Sequence, residues 1–308
     1  MKRKVVSKIL LPAIVLLSLA GCKMVQPIRT ESKAVPARFG DVPDSMNMAR
    51  VNWKDYFSDD NLVALIDSAL KKNQELKITL QEIEMLKNEV RVRKGEYLPF
   101  VDLGVVAGIE KEGRYTRHGS VDENGEILPG RRFPEPLPNY EIAALASWEV
   151  DIWKKLRNAK KAAGLRYLAG TEGKNFLVTN LIGEIASSYY ELMALDNQLA
   201  IIEQNIQIQT GALEIVRQQK AAAKLTELAV NRFEAQLLNT TNRQYEIRQR
   251  IIETENRLSF LTGAFPSAIP RSSISFNDMV LDPVRAGIPS QLLANRPDIR
   301  QAELELAA

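Results

Sequence analysis

The chain has 308 residues, 45% hydrophobic and 26% charged, with 41 Lys and Arg, 38 Asp and Glu and one cysteine. That is ordinary usage for a folded domain, and no run approaches the ~20 apolar residues of a spanning helix, which excludes a helical membrane transporter. The +3 balance comes from the first 21 residues, which hold Lys2, Arg3, Lys4 and Lys8 and no acid; without them 37 bases face 38 acids, a net −1. A nucleic-acid partner is therefore not implied by the basic isoelectric point.

Residues 1–21 read as an export signal. A positive start precedes an apolar stretch over 9–20 that is too short to span a bilayer. The stretch ends in Leu19-Ala20-Gly21-Cys22, which resembles a bacterial lipobox. Cleavage before Cys22 would make it the site of lipid attachment, and several acyl chains anchor stably where one does not. No disulfide framework competes for this lone cysteine. Lys23 in place of an Asp favours the outer membrane in such lipoproteins. Residues 22–60, with Pro27, Pro36 and Pro43, read as a lipidated extended tether. Met46 and Met48 could contact a soft metal, although a pair in a tether is more simply incidental.

Residues 61–98 turn helical. Leu62, Leu65, Ile66, Ala69 and Leu70 form one face, and Leu76, Leu80, Ile83 and Val90 another, with a break at Asn73 and an end at Pro99. Residues 99–152 hold two predicted strands. In 100–110, Leu103, Val105, Ala107 and Ile109 alternate with Asp102, Gly104, Val106 and Gly108. In 140–152, Tyr140, Ile142, Trp148, Val150 and Ile152 alternate with Glu141, Glu149 and Asp151. Residues 111–139 between them are rich in Pro and Gly and read as a long exposed loop. The second strand has no turn signal at its end, so it is expected to pass straight into a helix.

Residues 153–262 contain no proline. One seven-residue track holds Ile185, Leu192, Leu199, Ile206 and Leu213, and a second holds Val230, Leu237, Gln244, Ile251 and Leu258. The register breaks over 217–227. This predicts a helical hairpin with its tip at Ala222, Ala223, Lys224 and Leu225, rather than one continuous helix. A first arm over 155–217 would be roughly 95 Å long, too long for the second arm alone. Its strand-side half should pack on the helix over 74–97 instead.

Residues 263–288 are a breaker-rich connector. Residues 289–308 then match 66–85 at an offset of 223, with Leu70 on Leu293, Leu76 on Ile299, Lys77 on Arg300 and Glu82 on Glu305. The expectation is a tandem duplication whose second copy has only begun, so that the natural protein continues.

These features together resemble the TolC-type outer-membrane efflux proteins, in their lipoprotein branch. The resemblance rests on Leu19-Ala20-Gly21-Cys22, the 146–153 junction ASWEVDIW and, most specifically, Arg296-Pro297-Asp298-Ile299-Arg300. It implies a mainly α protein with β-strands. In it a long antiparallel coiled-coil hairpin belongs to a helical barrel, and two strands contribute to a trimeric outer-membrane β-barrel. It implies that Leu103, Val105, Ile109, Ile142, Trp148, Val150 and Ile152 face lipid, while Asp102, Glu141, Glu149 and Asp151 face a wet lumen. It implies a homotrimer whose tip docks a periplasmic adaptor (membrane fusion) protein joined to an inner-membrane efflux transporter. The tip lacks the glycine frequent in related tips. The expected function is a passive exit duct; a lipid-anchored periplasmic coiled-coil tether or adaptor scaffold is the alternative.

Chemistry is sparse. His118 is the one histidine and lies in the predicted loop. No cysteine pair, metal-ligand spacing or phosphate-binding glycine motif occurs, so no enzyme activity, metal site or cofactor is expected. Glu149 and Asp151, offered as a catalytic carboxylate pair, are better read as setting pore polarity.

Overall fold

The computed structural model describes residues 35–36, 51–272 and 289–308. The predicted signal, Cys22, Met46, Met48, most of the tether and most of the 263–288 connector lie outside the described residues. Helices α1 (Trp53–Tyr56), α2 (Asp60–Lys72) and α3 (Gln74–Gly95) come first, followed by strand β1 (Phe100–Glu110) and helix α4 (Arg117–Asn124). Strands β2 (Glu126–Leu128), β3 (Arg131–Arg132) and β4 (Leu137–Ser147) come next, then the long helices α5 (Lys155–Ala221) and α6 (Glu227–Leu261). Two short helices, α7 (Pro289–Asn295) and α8 (Pro297–Ala307), end the chain.

Residues 111–139 are not a bare loop. Thr116 caps α4 by accepting from the Gly119 amide, and β2 pairs with β3 across a turn where Gly130 takes φ 77°. Lys111 and Glu135, 3.3 Å apart, tie the two ends of this excursion together. The mixed polar and breaker composition concealed these short elements, because neither is long enough to show a period.

At 67 residues, α5 is about 100 Å long. Its far half pairs with α6 through the heptad seam: Leu213, Val216 and Val230 are buried near the tip, and Ile185, Leu192 and Leu258 at the other end. Phe233, three residues on from Val230 and so on the seam side by spacing, is instead exposed, and Thr240 is buried one heptad on. Ion pairs Glu184–Arg257, Glu191–Arg250, Glu203–Arg248 and Arg217–Glu234 run along the flanks. All are solvent-exposed and each contributes little stability, but their order reports the antiparallel register.

The strand-side half of α5 packs on α3 and also on α8. α3 comes close at Gly170, where a Cβ would stand 2.7 Å from Leu86 Cδ1 and that side-chain tip would have to shift. The α8 contact is marked by Arg300 Nη2, 2.8 Å from Glu172 Oε1. The offset of 223 carries the α2/α3 break at Asn73 onto Arg296, where α7 gives way to α8. The two repeat-related helices, α3 and α8, therefore both lie against α5.

The core sits where α2, α5 and α6 meet, around Leu62, Ile66, Ala69, Ile185, Tyr189, Leu192 and Leu258. Asn73 locks this region. Its side-chain carbonyl accepts from Leu76 N as the α3 cap, and its Nδ2 donates 2.9 Å to Leu261 O at the end of α6. Leu261 lies at the last turn of α6, where carbonyls lack intrahelical partners.

Candidate functional site

The β1/β4 ladder pairs Leu103 with Ala144, Val105 with Ile142, Ala107 with Tyr140 and Val101 with Ala146. Residues directly opposite in an antiparallel pair share a face. One face of the sheet is therefore apolar throughout, and it carries Leu103, Val105, Ile109 and Ile142 together. The other face carries Asp102, Glu110, Asn139, Glu141 and Ser147 among glycine, alanine and larger apolar residues. Both faces are exposed: Leu103 is 82% and Ile142 86% accessible. Both outer edges of this two-stranded sheet are also unpaired among the described residues. Such a hairpin is marginal by itself in water, and a wholly apolar exposed face calls for a partner.

The passage from strand to helix differs from the expectation. β4 ends at Ser147, and Trp148, Glu149, Val150, Asp151 and Ile152, predicted as strand residues, lie in the segment between β4 and α5. The chain turns there, with Lys154 left-handed at φ 61°. The cause is Asp151, only 6% exposed. Its Oδ1 accepts from the Leu156 amide, and its Oδ2 accepts from the Arg157 amide and Arg157 Nε. These are first-turn donors with no intrahelical acceptor, so Asp151 is a capping carboxylate rather than a lumen-facing strand residue. Glu149 pairs with Lys155 at 3.0 Å, and Trp148 Nε1 donates to Tyr97 O at 3.2 Å. Spacing alone could not separate a carboxylate on a strand from one that caps the next helix.

Burial disfavours the Asp151 charge, but the hydrogen bonds from Arg157 and Leu156 and the guanidinium charge outweigh it and hold the carboxyl below its ordinary 3.8. A depressed native value contributes stability above the unfolded value and loses it as pH falls through the native one. Asp151→Asn should therefore lower the melting temperature at pH 7. The deficit relative to wild type should shrink as pH falls below 3.8, in paired melts by circular dichroism.

Sequence reasoning also missed a polar cluster beside the core. The Tyr189 hydroxyl, on a fully buried side chain, donates 2.8 Å to Asp59 Oδ2 and accepts from Ser272 N. Burial and the Asp59 bond push this phenol up to about 12. Nearby, Arg271 reaches Glu255 at 2.8 Å and Asp196 at 2.7 Å; burial raises Asp196 above its usual value despite the Arg271 charge. These bonds stitch the start of the connector to α5 and α6. No spacing in the sequence announces them, since the partners lie 83 residues apart in the Ser272 case.

At the tip, Lys224 N donates to Gln219 O and Ala223 N to Lys220 O, with Ala223 at φ 57°. This is a Schellman end built without glycine, so Ala223 carries the left-handed conformation at a cost of about 1 kcal/mol. The hairpin also exposes two apolar rows that the seam does not use: Ile201, Ile208 and Ile215 on α5, and Leu238, Tyr245 and Ile252 on α6. Each repeats every seven residues and was visible as spacing. Among the described residues no three His, Cys, Asp or Glu side chains could hold a metal ion together, and no helix is long and apolar enough to cross a membrane.

The family model for outer membrane efflux proteins matches residues 65–264. The chain belongs to this family. It is 26% identical over 311 aligned positions to the solvent efflux pump outer membrane protein SrpC of Pseudomonas putida, covering 97% of this chain and 63% of that protein. It is 28% identical to the pyoverdine export outer membrane protein OpmQ of Pseudomonas putida, over 95% of this chain and 61% of that one. It is 24% identical to the cation efflux system protein CusC of Escherichia coli, over 97% and 63%. The chain thus spans less than two thirds of the length of these relatives. The fold matches the open state of the Neisseria gonorrhoeae MtrE outer membrane channel with a TM-score of 0.74, at 20% identity over 92% of this chain and 61% of that one. It matches CusC with a TM-score of 0.71, at 20% identity over 89% and 58%. The family fold, a helical barrel with strands contributing to a β-barrel, accounts for a sheet and a hairpin that each leave their outer sides uncovered.

Proposed function

We propose that this protein is one wall section of an outer-membrane exit duct serving a tripartite efflux pump. The observation that carries the reading is a wall unfinished at both levels. The β1/β4 sheet has an apolar face in the open and two unpaired edges, and the α5/α6 hairpin below it exposes heptad rows outside its own seam. An open sheet edge in lipid leaves backbone groups unsatisfied, so neighbouring strands must close the ring. Two strands per chain cannot do so; further strands of the whole protein and two more copies in a homotrimer would.

In this arrangement Leu103, Val105, Ile109 and Ile142 meet lipid, while Asp102 and Glu141 line a wet lumen. The helices continue the duct through the periplasm, and residues 222–225 dock a periplasmic adaptor joined to an inner-membrane transporter. Cys22 carries the lipid anchor. The duct conducts passively, with no bond chemistry and no cofactor. The relatives are named for solvents, pyoverdine and cations at similar identity, which suits a wall whose cargo is chosen by its pump.

The test is conduction. The whole protein, purified as a trimer and added to planar bilayers, should open discrete cation-preferring channels. Asp102→Asn with Glu141→Gln should reduce that preference. A correctly folded trimer that never conducts would favour the tether reading instead.

A further inference from the structure

Below the sheet, charge and aromaticity concentrate in one band. Phe100, Tyr97, Trp148 and Trp153 are exposed there, at the end of the sheet away from the 111–136 excursion. Residues 153–161 read WKKLRNAKK. Arg157 and Lys161, four apart, lie in one row along the first turns of α5, and the exposed Lys154, left-handed just before the helix, leads into it. The row is located by contact: the Arg157 guanidinium lies 5.9 Å from the Tyr97 ring centre, and the Tyr97 carbonyl accepts from Trp148. The basic row and the aromatic group are thus one surface.

Two features bear on what this row can meet. The row's acid is already consumed, because Asp151 is engaged by Arg157 and the α5 amides. The ammonium groups of Lys154 and Lys161 have no ion pair or hydrogen bond among the described residues, while Lys155 beside them is paired with Glu149. Unpaired lysines do not suit burial against another helix. Aromatic rings sit at the boundary between acyl chains and headgroups, and lysines just outside that boundary attract anionic headgroups.

We infer that Lys154, Arg157 and Lys161, with Tyr97 and Trp148, form a collar that binds the phosphodiester headgroups of anionic phospholipid in the periplasm-facing leaflet. This rests on the proposed placement of the sheet in the outer membrane. The side chains act as donors: the two ammonium groups and the outer part of Arg157 reach the phosphate, and the aromatic rings lie against the upper acyl chain. The collar sets the depth of the barrel in the bilayer and favours anionic lipid at its lower rim.

Tryptophan quenching in vesicles tests this with the whole trimeric protein. Trp148 and Trp153 report on the collar, and Trp53, packed against the core, supplies a constant background. Brominated phosphatidylcholine and brominated phosphatidylglycerol are titrated in turn. Both should quench, with an about fivefold preference for phosphatidylglycerol, equivalent to about 1 kcal/mol. Lys154→Gln with Lys161→Gln should bring the two lipids to within about twofold. Lys154→Arg with Lys161→Arg should keep the preference, as should Lys71→Gln with Lys72→Gln, a matched charge change on α2. Equal quenching by both lipids in the wild type, or a preference indifferent to the Lys154/Lys161 change, overturns the collar and leaves the duct standing. Quenching by neither lipid overturns the membrane placement and the collar with it.

Discussion

Gly263→Val should destabilise the protein by about 3 kcal/mol, read as an earlier denaturation midpoint in the detergent-solubilised chain. Gly263 ends α6 in a Schellman turn: its amide donates to Phe260 O, and the Ala264 amide donates to Ser259 O. Its φ of 65° is left-handed, where a β-branched residue is poorly tolerated. The tip has the same turn with Ala223 at φ 57°, so conformation alone does not forbid a side chain there. What differs is the neighbour. A Cβ on Gly263 would stand 2.6 Å from Lys72 O, and a carbonyl at the end of a helix cannot swing away as a side-chain tip can. The turn that brings Gly263 onto Lys72 also places Leu261 O on Asn73, so displacement would strain the α2/α3 break as well. Gly263→Ala should show most of the loss. A valine variant as stable as wild type would mean that this contact does not exist.

Ile185→Ala should cost about 3 kcal/mol, within the range for large-to-small changes at closed sites. Ile185 has no exposed surface and belongs to the three-helix core. Ile208, on the same helix, is 62% exposed, and none of the described residues covers it. Ile208→Ser should leave the folding of one chain within about 0.5 kcal/mol, yet weaken assembly if the row of Ile201, Ile208 and Ile215 meets a neighbouring helix. Chemical crosslinking and sizing in mild detergent would read the difference. On the proposed trimer, the expected pattern is a destabilised but still trimeric Ile185 variant and a well-folded Ile208 variant with less trimer. If both variants lose stability equally and neither loses trimer, the exposed row is not a seam.

Much of this architecture was legible because its signals are periodic. The seven-residue tracks placed the hairpin and its tip, the alternation over 100–110 placed a strand, and the offset of 223 pointed to a second copy of the early helices. The candidate site was less legible. Asp151 was expected on a strand face because Trp148, Val150 and Ile152 continue the alternation of β4. The chain leaves the sheet at Ser147 because Asp151 finds the unsatisfied amides of α5. The Tyr189–Asp59–Ser272 cluster and the Arg271 contacts had no local signal at all, since each depends on which helix side comes to lie beside which.

Sequence alone therefore determined the parts: two amphipathic strands, a long helical pair, a helix break at Asn73, a repeat at an offset of 223 and a short basic run after the second strand. Those follow from the 2.0 and 3.6 residue periods, which any stretch of chain expresses without reference to the rest. Tertiary structure decided which carboxylate caps a helix, which glycine must stay glycine and which apolar rows remain open. Those depend on distances between residues far apart in the chain, and a capping bond or a steric clash is won or lost within about 1 Å.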